Sequence, residues 1–545
     1  MLLDRLLKLP PRTSRTVRHR DVRMTMRDGV TLLADVYLPA KLSGQPTVLL
    51  RSPYGRGSVF GLMAQAFAHR GYVTVIQSCR GTYGSQGSFH PFFQESADGI
   101  DTVAWIENQP WFAGRLGLYG GSYMGQVQWA MAAELGDRLS AMAMSVTTSD
   151  FQEAIHDGGG FRLQDLLAWA HLLEHQERSH RLRNTIRERL FGDPLKRYYA
   201  QLPVHTIDVD ALGRRVDFWR DWATGNPQDE RWAPIRFTET INRIKTPTSM
   251  VTGWSDFLFA YQMRDFQALR AHGCTARMTV GQWTHASVGM IGESLRDALQ
   301  WFDIHLKGAR PARAQDLDRV KFWFNGPNNW REAAAWPPVD AQAVKLVLSA
   351  DGRLCDNPIE PGIRSFTYDP SNPTPSLAGP MLANSKGRGD IRALCARSDV
   401  LSFDGPALEQ ALDIIGDVRV TLRTSSSHPH HDLFVCLCDV DPRGRTINIT
   451  DGYARLRPAL PAGTNARTTV LKASPVAWQV PRGHRLRLLV CGGAFPRFAR
   501  NLGMDENDSG GVAMTPVDIS LHCAAVDACQ LSFLISPRNV TPAAA

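Results

Sequence analysis

Three residues of this sequence could do chemistry together: Ser122, Asp256 and His285. Ser122 lies in "GRLGLYGGSYMGQVQW", where a short apolar strand, Leu116 to Tyr119, meets a glycine turn and a helix predicted over Tyr123 to Leu135. Strand, tight turn and helix make a nucleophile elbow, which exposes a serine hydroxyl at its tip. The general spacing G-x-S-x-G fails by one place. Met124 stands where the second glycine belongs, and the glycine follows at Gly125. A serine hydroxyl is a poor nucleophile at neutral pH. It needs an imidazole to take its proton and a carboxylate to fix the imidazole tautomer. "PTSMVTGWSD" carries a strand to Asp256, and "RMTVGQWTHAS" carries the next strand to His285.

Each residue has a plainer reading. Ser122 could be only a turn, Asp256 only an N-cap for "FLFAYQMRDFQALR", and His285 a satisfied loop histidine. Order and placement favour the joint reading. Ser, Asp, His is the chain order of the α/β hydrolases, and all three follow strands at what would be the carboxyl edge of the sheet, where such sheets bind ligands. Acyl transfer also needs donors for a developing oxyanion. The backbone N–H of Tyr123 is one by the geometry of an elbow. The loop "RSPYGRG" after an early strand lacks a glycine run but offers the phenol of Tyr54. Packing of Tyr54 on the sheet edge is the alternative.

The elements that must position these groups are legible as a pattern. "VTLLADVYLP", "PTVLLRSPYG" and "YVTVIQSCRG" read as strands, "GLMAQAFAHRG" and "ESADGIDTVAWIENQPW" as helices, the latter with Ile100, Val103, Ala104 and Ile106 near one face. Alternation of this kind implies a mostly parallel sheet covered on both faces. Residues 151–239 read as helical, with no convincing strand. Strands return up to the helix "ESLRDALQWFDIHLKG". Beyond the linker "ARPARAQDLDR" the chain is nearly all strand and turn, which implies an antiparallel sandwich or jelly roll. The expected division is a catalytic domain over 1–150 and 240–310, a helical cap over 151–239 and a jelly roll over 318–540.

Composition excludes some functions. The net charge is +8, but the basic residues are scattered apart from "RTSRTVRHR" and "RSHRLRNTIRERL", and no nucleic-acid module appears. No apolar run approaches the roughly 18 residues that span a bilayer, and no signal peptide is read at the start. Nine cysteines without framework spacing fit reduced thiols and a cytoplasmic protein. "HPHHD", His428 to Asp432, has the look of a metal site, but it falls in a turn with no remote ligands and reads as a solvated loop.

With these residues in view, the chain resembles, over nearly its whole length, the CocE/NonD hydrolases, the cocaine-esterase-like relatives of X-Pro dipeptidyl-peptidases. "GGSYMG" is similar to the G-x-S-Y-x-G elbow of that family, which accounts for the shifted glycine. "GWSD" and "GQWTH" resemble its acid and histidine motifs, and "RSPYGRG" its Arg-x-Pro-Tyr loop. "NPQDERW" resembles the segment ending its cap, and "GHRLRLLVCGGAFPRFARN" its jelly-roll signature. The departures are Ser78 and Cys79 in "QSCRG" and Asn226 in place of a histidine. The resemblance implies an α/β hydrolase fold with a helical cap insertion and a C-terminal jelly roll. It also implies a Ser122–Asp256–His285 triad, with Tyr54 and Tyr123 as the oxyanion hole. No metal or organic cofactor is implied.

A small-molecule ester is the first substrate expected. Amide cleavage is second, as in an X-Pro dipeptidyl-peptidase or an amino-acid ester or acyl amide hydrolase, and a non-enzymatic binding protein on the jelly roll is third. Trp169 in the cap is either a substrate contact or core of a helix pair, and Trp254 and Trp283 flank the acid and base and could wall the site. A peptidase or amino-acid ester hydrolase needs a carboxylate for the substrate amine. The cap offers Asp157, Asp165 and Glu174. Neither a nucleic acid nor a membrane is an expected partner, and a jelly roll on the catalytic domain could support a homodimer.

Overall fold

The structure is a computed structural model. It describes residues 2–177, 193–225, 229–356, 361–382, 387–457, 466–504, 510–523 and 529–536. The basic stretch "RSHRLRNTIRERL", Asn226 and the C-terminal tail lie outside the described residues. The chain divides into two compact units. One is Met1–Ala154 with Glu230–Val320, and the other is Ile155–Asp229 with Lys321–Ala545.

In the first unit the strands are β1 (Thr16–Thr25), β2 (Thr31–Pro39), β3 (Thr47–Ser52), β4 (Val73–Ser78), β5 (Leu116–Gly121), β6 (Ala141–Ser145), β7 (Thr248–Gly253) and β8 (Ala276–Gly281). They lie in the order β1-β2-β4-β3-β5-β6-β7-β8. The first two pairings, β1 with β2 and β2 with β4, are antiparallel, and those from β4 to β8 are parallel. The parallel strands are nearly buried throughout, because helices cover both faces. Leu50, Phe67, Ile76, Tyr119, Leu299 and Phe302 share one core cluster beneath one of these faces. This is the α/β hydrolase arrangement.

One helix departs from its expected face. Over Glu95–Glu107 the buried residues are Glu95, Asp98, Gly99, Thr102, Val103 and Ile106, while Ile100 and Ala104 are only half-buried. The helix turns acids inward because Arg51 is buried in β3 facing it. A buried charge needs a partner of opposite sign.

The second unit holds the helices Leu163–His175, Ile207–Leu212 and Asp217–Thr224 together with antiparallel strands. Those strands form a seven-stranded and a four-stranded sheet among the described residues. Leu348, Phe403, Ile414, Leu437, Leu488 and Ile519 lie in the core of this jelly roll. The nine cysteines are free thiols. Cys436 and Cys438 share one side of their strand across a bulge, with their sulfurs 3.7 Å apart. No helix among the described residues is long and apolar enough to cross a membrane.

The segment His428–Asp432 corrects the expectation of a solvated loop. His430, His431 and Asp432 are buried. Asp432 accepts hydrogen bonds from Arg455 at 2.9 Å, from Asn501 at 2.8 Å and from the Tyr453 hydroxyl, so its charge is compensated inside the sheet. Burial pushes the His431 imidazole down to about 4, so it stays neutral at neutral pH. Asp432→Ala is expected to cost about 3–5 kcal/mol of stability in urea unfolding, because the Arg455 charge would stay buried and uncompensated. An unchanged midpoint would contradict this anchoring role.

Candidate active site

Ser122 occupies the turn between β5 and the helix Tyr123–Leu135. Its backbone is held at φ 56° and ψ −125°, a left-handed conformation strained for a residue with a side chain. Four hydrogen bonds hold it there. The Ser122 N–H donates to the Ser145 carbonyl at 2.8 Å, tying the tip to β6. Its carbonyl accepts from the Gly125 and Gln126 N–H groups, and from the Thr147 hydroxyl at 2.9 Å. Two glycines give the room. A Cβ on Gly120 would stand 2.4 Å from the Met124 Cβ, and one on Gly125 would stand 2.6 Å from the Thr147 Cβ. The displaced glycine therefore has a steric cause: the helix passes Thr147 at position 125, and no side chain fits between them.

The candidate acid and base, Asp256 and His285, follow adjacent parallel strands. β7 and β8 are in register at Gly253 and Gly281, and the loops that follow are bonded to each other. The Trp254 N–H donates to the Gly281 carbonyl at 2.9 Å, and the Ser255 N–H to the Trp283 carbonyl at 3.1 Å. Asp256 and His285 are thereby set side by side. One carboxylate oxygen of Asp256 takes the Leu258 N–H at 2.8 Å at the entry to the helix Phe259–Ala271. The other lies 2.6 Å from His285 Nδ1. A carboxylate only accepts, so Nδ1 carries the proton of the neutral ring and Nε2 is left as an acceptor. Nε2 lies 2.9 Å from Ser122 Oγ. Asp256 and His285 are both buried, at 2% and 6% exposure. In the neutral ring the serine hydroxyl donates to the imidazole, the alignment a general base needs.

On the other side of β5 lies β3, whose end carries Tyr54. The Tyr54 N–H donates to the Ser52 hydroxyl at 3.0 Å. Its half-buried ring stacks on Phe60 with centroids 5.4 Å apart, and meets the Tyr123 ring edge-on at 6.4 Å. The Tyr123 N–H opens the elbow helix at the serine. Strand β5 thus has Asp256 and His285 on one side and the Tyr54 loop on the other.

The three tryptophans fare differently. Trp254 is 6% exposed, with its ring edge-on to Phe259 at 4.9 Å. Trp283 is half-buried and lies over the end of β8, where a Cβ on Gly281 would stand 2.5 Å from its ring. Trp254 thus packs on the helix that follows Asp256, and Trp283 on the end of β8. Trp169 lies in the second unit, stacked on Trp222 at 5.4 Å with the rings 2° from parallel. That is the packing of a helix core.

Arg51 and Glu95 were not singled out from the sequence. Arg51 is fully buried at the end of β3, and its guanidinium meets the Glu95 carboxylate at 2.5 Å. The Tyr123 phenol donates to the other oxygen of Glu95 at 2.7 Å. Burial, then the charge of Glu95, holds that phenol well above its ordinary range, so it stays a donor. Burial also works against the Arg51 charge, but Glu95 and its other acidic neighbours more than offset it. An arginine inside the otherwise apolar run "TVLLRS" was the available signal, since a strand buried on both faces cannot leave it unpaired. Of the departures from the family pattern, Ser78 accepts from Arg56 at 2.6 Å, and burial beside Glu95 pushes the Cys79 thiol up.

Residues 28–287 match the family model for X-Pro dipeptidyl-peptidase (S15 family), and residues 312–523 match its C-terminal non-catalytic domain. The chain is 29% identical to the cocaine esterase of Rhodococcus sp. (strain MB1 Bresler), over 90% of this chain and 92% of that one. The chain is thus similar to the X-Pro dipeptidyl-peptidases in both matched domains and to the cocaine esterase over nearly its whole length. Among solved structures it resembles an α-amino acid ester hydrolase (TM-score 0.81, 20% identity, 97% of this chain and 98% of that one). It also resembles an aminopeptidase from a marine sediment Thaumarchaeota archaeon (TM-score 0.80, 20% identity, 97% and 98%). These two establish the shared fold and leave the leaving group open.

Gly125→Ala is expected to cost about 1–3 kcal/mol by crowding Thr147, and to slow labelling of Ser122 by a fluorophosphonate. Unchanged melting and labelling would mean the elbow helix withdraws from Thr147 freely.

Proposed function

We propose that this chain is a serine esterase that cleaves carboxylic esters through an acyl-enzyme on Ser122. The observation that carries the reading is the unbroken line Asp256–His285–Ser122, at 2.6 and 2.9 Å, ending on a serine at a strained elbow. His285 takes the Ser122 proton as Oγ attacks the ester carbonyl. The oxyanion is met by the Tyr123 N–H and the Tyr54 hydroxyl. His285 then gives its proton to the leaving alcohol, and Asp256 holds the imidazolium in place. Water, deprotonated by the same histidine, attacks the acyl-enzyme and frees Ser122.

Two observations support an ester over a peptide. The 29% identical relative is named a cocaine esterase. The cap carboxylates considered for a substrate amine are engaged by arginines. Arg162 binds Asp157 at 2.9 Å and Asp165 at 2.7 Å, and Arg214 grips both oxygens of Glu174 at 2.7 Å. The S15 family match supports amide cleavage after proline as the second reading.

Ser122→Ala is expected to abolish both fluorophosphonate labelling and turnover of p-nitrophenyl butyrate. Full turnover by that variant would sink the triad. Tyr54→Phe is expected to lower kcat by roughly 10²-fold, and an unchanged rate would return Tyr54 to packing. Wild-type enzyme is expected to prefer the butyrate ester to an Ala-Pro anilide, and strong preference for the anilide would put the second reading first.

A further inference from the structure

The proposed mechanism uses the backbone of Tyr123 but not its side chain, which is 1% exposed and tightly held. The ring stacks on Phe92 with centroids 4.4 Å apart and planes 24° apart. The phenol oxygen donates to Glu95 Oε1 at 2.7 Å and accepts the Phe92 N–H at 3.0 Å. Glu95 is itself fixed, because Arg51 Nη1 donates to its Oε2 at 2.5 Å and to its carbonyl at 2.9 Å. Arg51 Nε donates in turn to Gln77 in β4 at 2.7 Å. The Tyr123 ring is therefore pinned to two strands and a helix.

Tyr54 is placed differently. Its ring is half-buried, stacks on Phe60 at 5.4 Å and meets the Tyr123 ring edge-on at 6.4 Å and 76°. A phenol that meets an oxyanion works only within a few tenths of an ångström of the right place. Of these two rings, Tyr123 is the one anchored through a buried charge pair.

We propose that the Tyr123 side chain is a positioning residue for Tyr54: clamped by Glu95 and Arg51, its ring holds the Tyr54 hydroxyl where the oxyanion forms. One residue then serves both donors, supplying one through its backbone and aiming the other through its ring. The inference rests on the esterase reading above, since the position of Tyr54 matters only if its hydroxyl meets a reaction centre.

A double-mutant cycle on p-nitrophenyl butyrate tests it. Tyr123→Phe keeps the ring and the backbone N–H and removes the bond to Glu95. It is expected to lower kcat by about tenfold and to change KM by less than about twofold. In a Tyr54→Phe background no hydroxyl remains to be aimed, and the same change is expected to alter kcat by less than about twofold. Equal losses in both backgrounds, or no loss in the first, would overturn the inference. If Tyr123→Phe does not fold, Phe92→Leu, which removes the ring that backs Tyr123, takes its place in the cycle with the same expectations. Failure of the esterase reading has another signature: Ser122→Ala would keep turnover and Tyr54→Phe alone would leave kcat unchanged. Failure of the positioning role alone leaves both of those losses intact and makes the cycle additive.

Discussion

Ser122 can present its hydroxyl only because its backbone is forced to φ 56°. A residue with a side chain resists that region by about 1–3 kcal/mol, so the surroundings must overdetermine it. They do so with ordinary parts. β6 supplies the Ser145 carbonyl, the first turn of the helix supplies two N–H groups, and Thr147 supplies a hydroxyl. All of these need the helix to lie close to the sheet. That closeness requires glycine at 120 and 125, since at either position a Cβ would meet an atom at 2.6 Å or less. The placing of glycines around the serine follows from a single steric demand, and the rest of the site is arranged around the point it fixes.

Fixing one atom is not enough for acyl transfer. The two oxyanion donors proposed above, Tyr54 and Tyr123, come from different elements, and the buried pair Arg51–Glu95 joins those elements. Such a pair is weak evidence for stability, because desolvating two charges offsets most of their attraction. Its value here is geometric. Arg51 lies three residues before Tyr54, and Glu95 opens the helix that faces the elbow and takes the Tyr123 phenol. Arg80 extends the array by binding Asp98 on the same helix through both carboxylate oxygens. An apolar contact could slide by an ångström at little cost. A set of charge-assisted hydrogen bonds fixed at both ends cannot.

The sequence made much of this legible, and for identifiable reasons. Strand–turn–helix around Ser122 has a local signature, and Asp256 and His285 follow apolar runs that could only be central strands. Their placement was readable because parallel strands put all their carboxyl ends on one edge. The polar face of the helix Glu95–Glu107 was not readable. Ile100 and Ala104 fit an apolar stripe as well as Val103 and Ile106 do, and only the presence of Arg51 in β3 decides which face turns inward. That is a contact between residues 44 positions apart. The misreading of His430–Asp432 has the same origin. A turn rich in histidine looks solvated until Arg455, Tyr453 and Asn501 arrive from distant parts of the jelly roll to compensate Asp432.

The chemistry of the proposed triad does not choose between an ester and an amide, because the same proton shuttle serves an alcohol or an amine as leaving group. Selection has to come from groups that recognise what lies beyond the scissile bond. For a substrate with a free amine, that group would be a carboxylate with capacity to spare. Asp165 accepts from Arg162 and from the Leu382 N–H, and Glu174 has both oxygens on Arg214. Freeing Glu174 would leave Arg214 to be resolvated, and freeing Asp165 would take one of two carboxylates from Arg162, which is only 1% exposed. Trp169 is stacked flat on Trp222 within the same unit. These side chains are committed to the second unit's own packing. An aminopeptidase-like specificity would have to be built from other residues, whereas an ester with no charged end asks for no carboxylate at all.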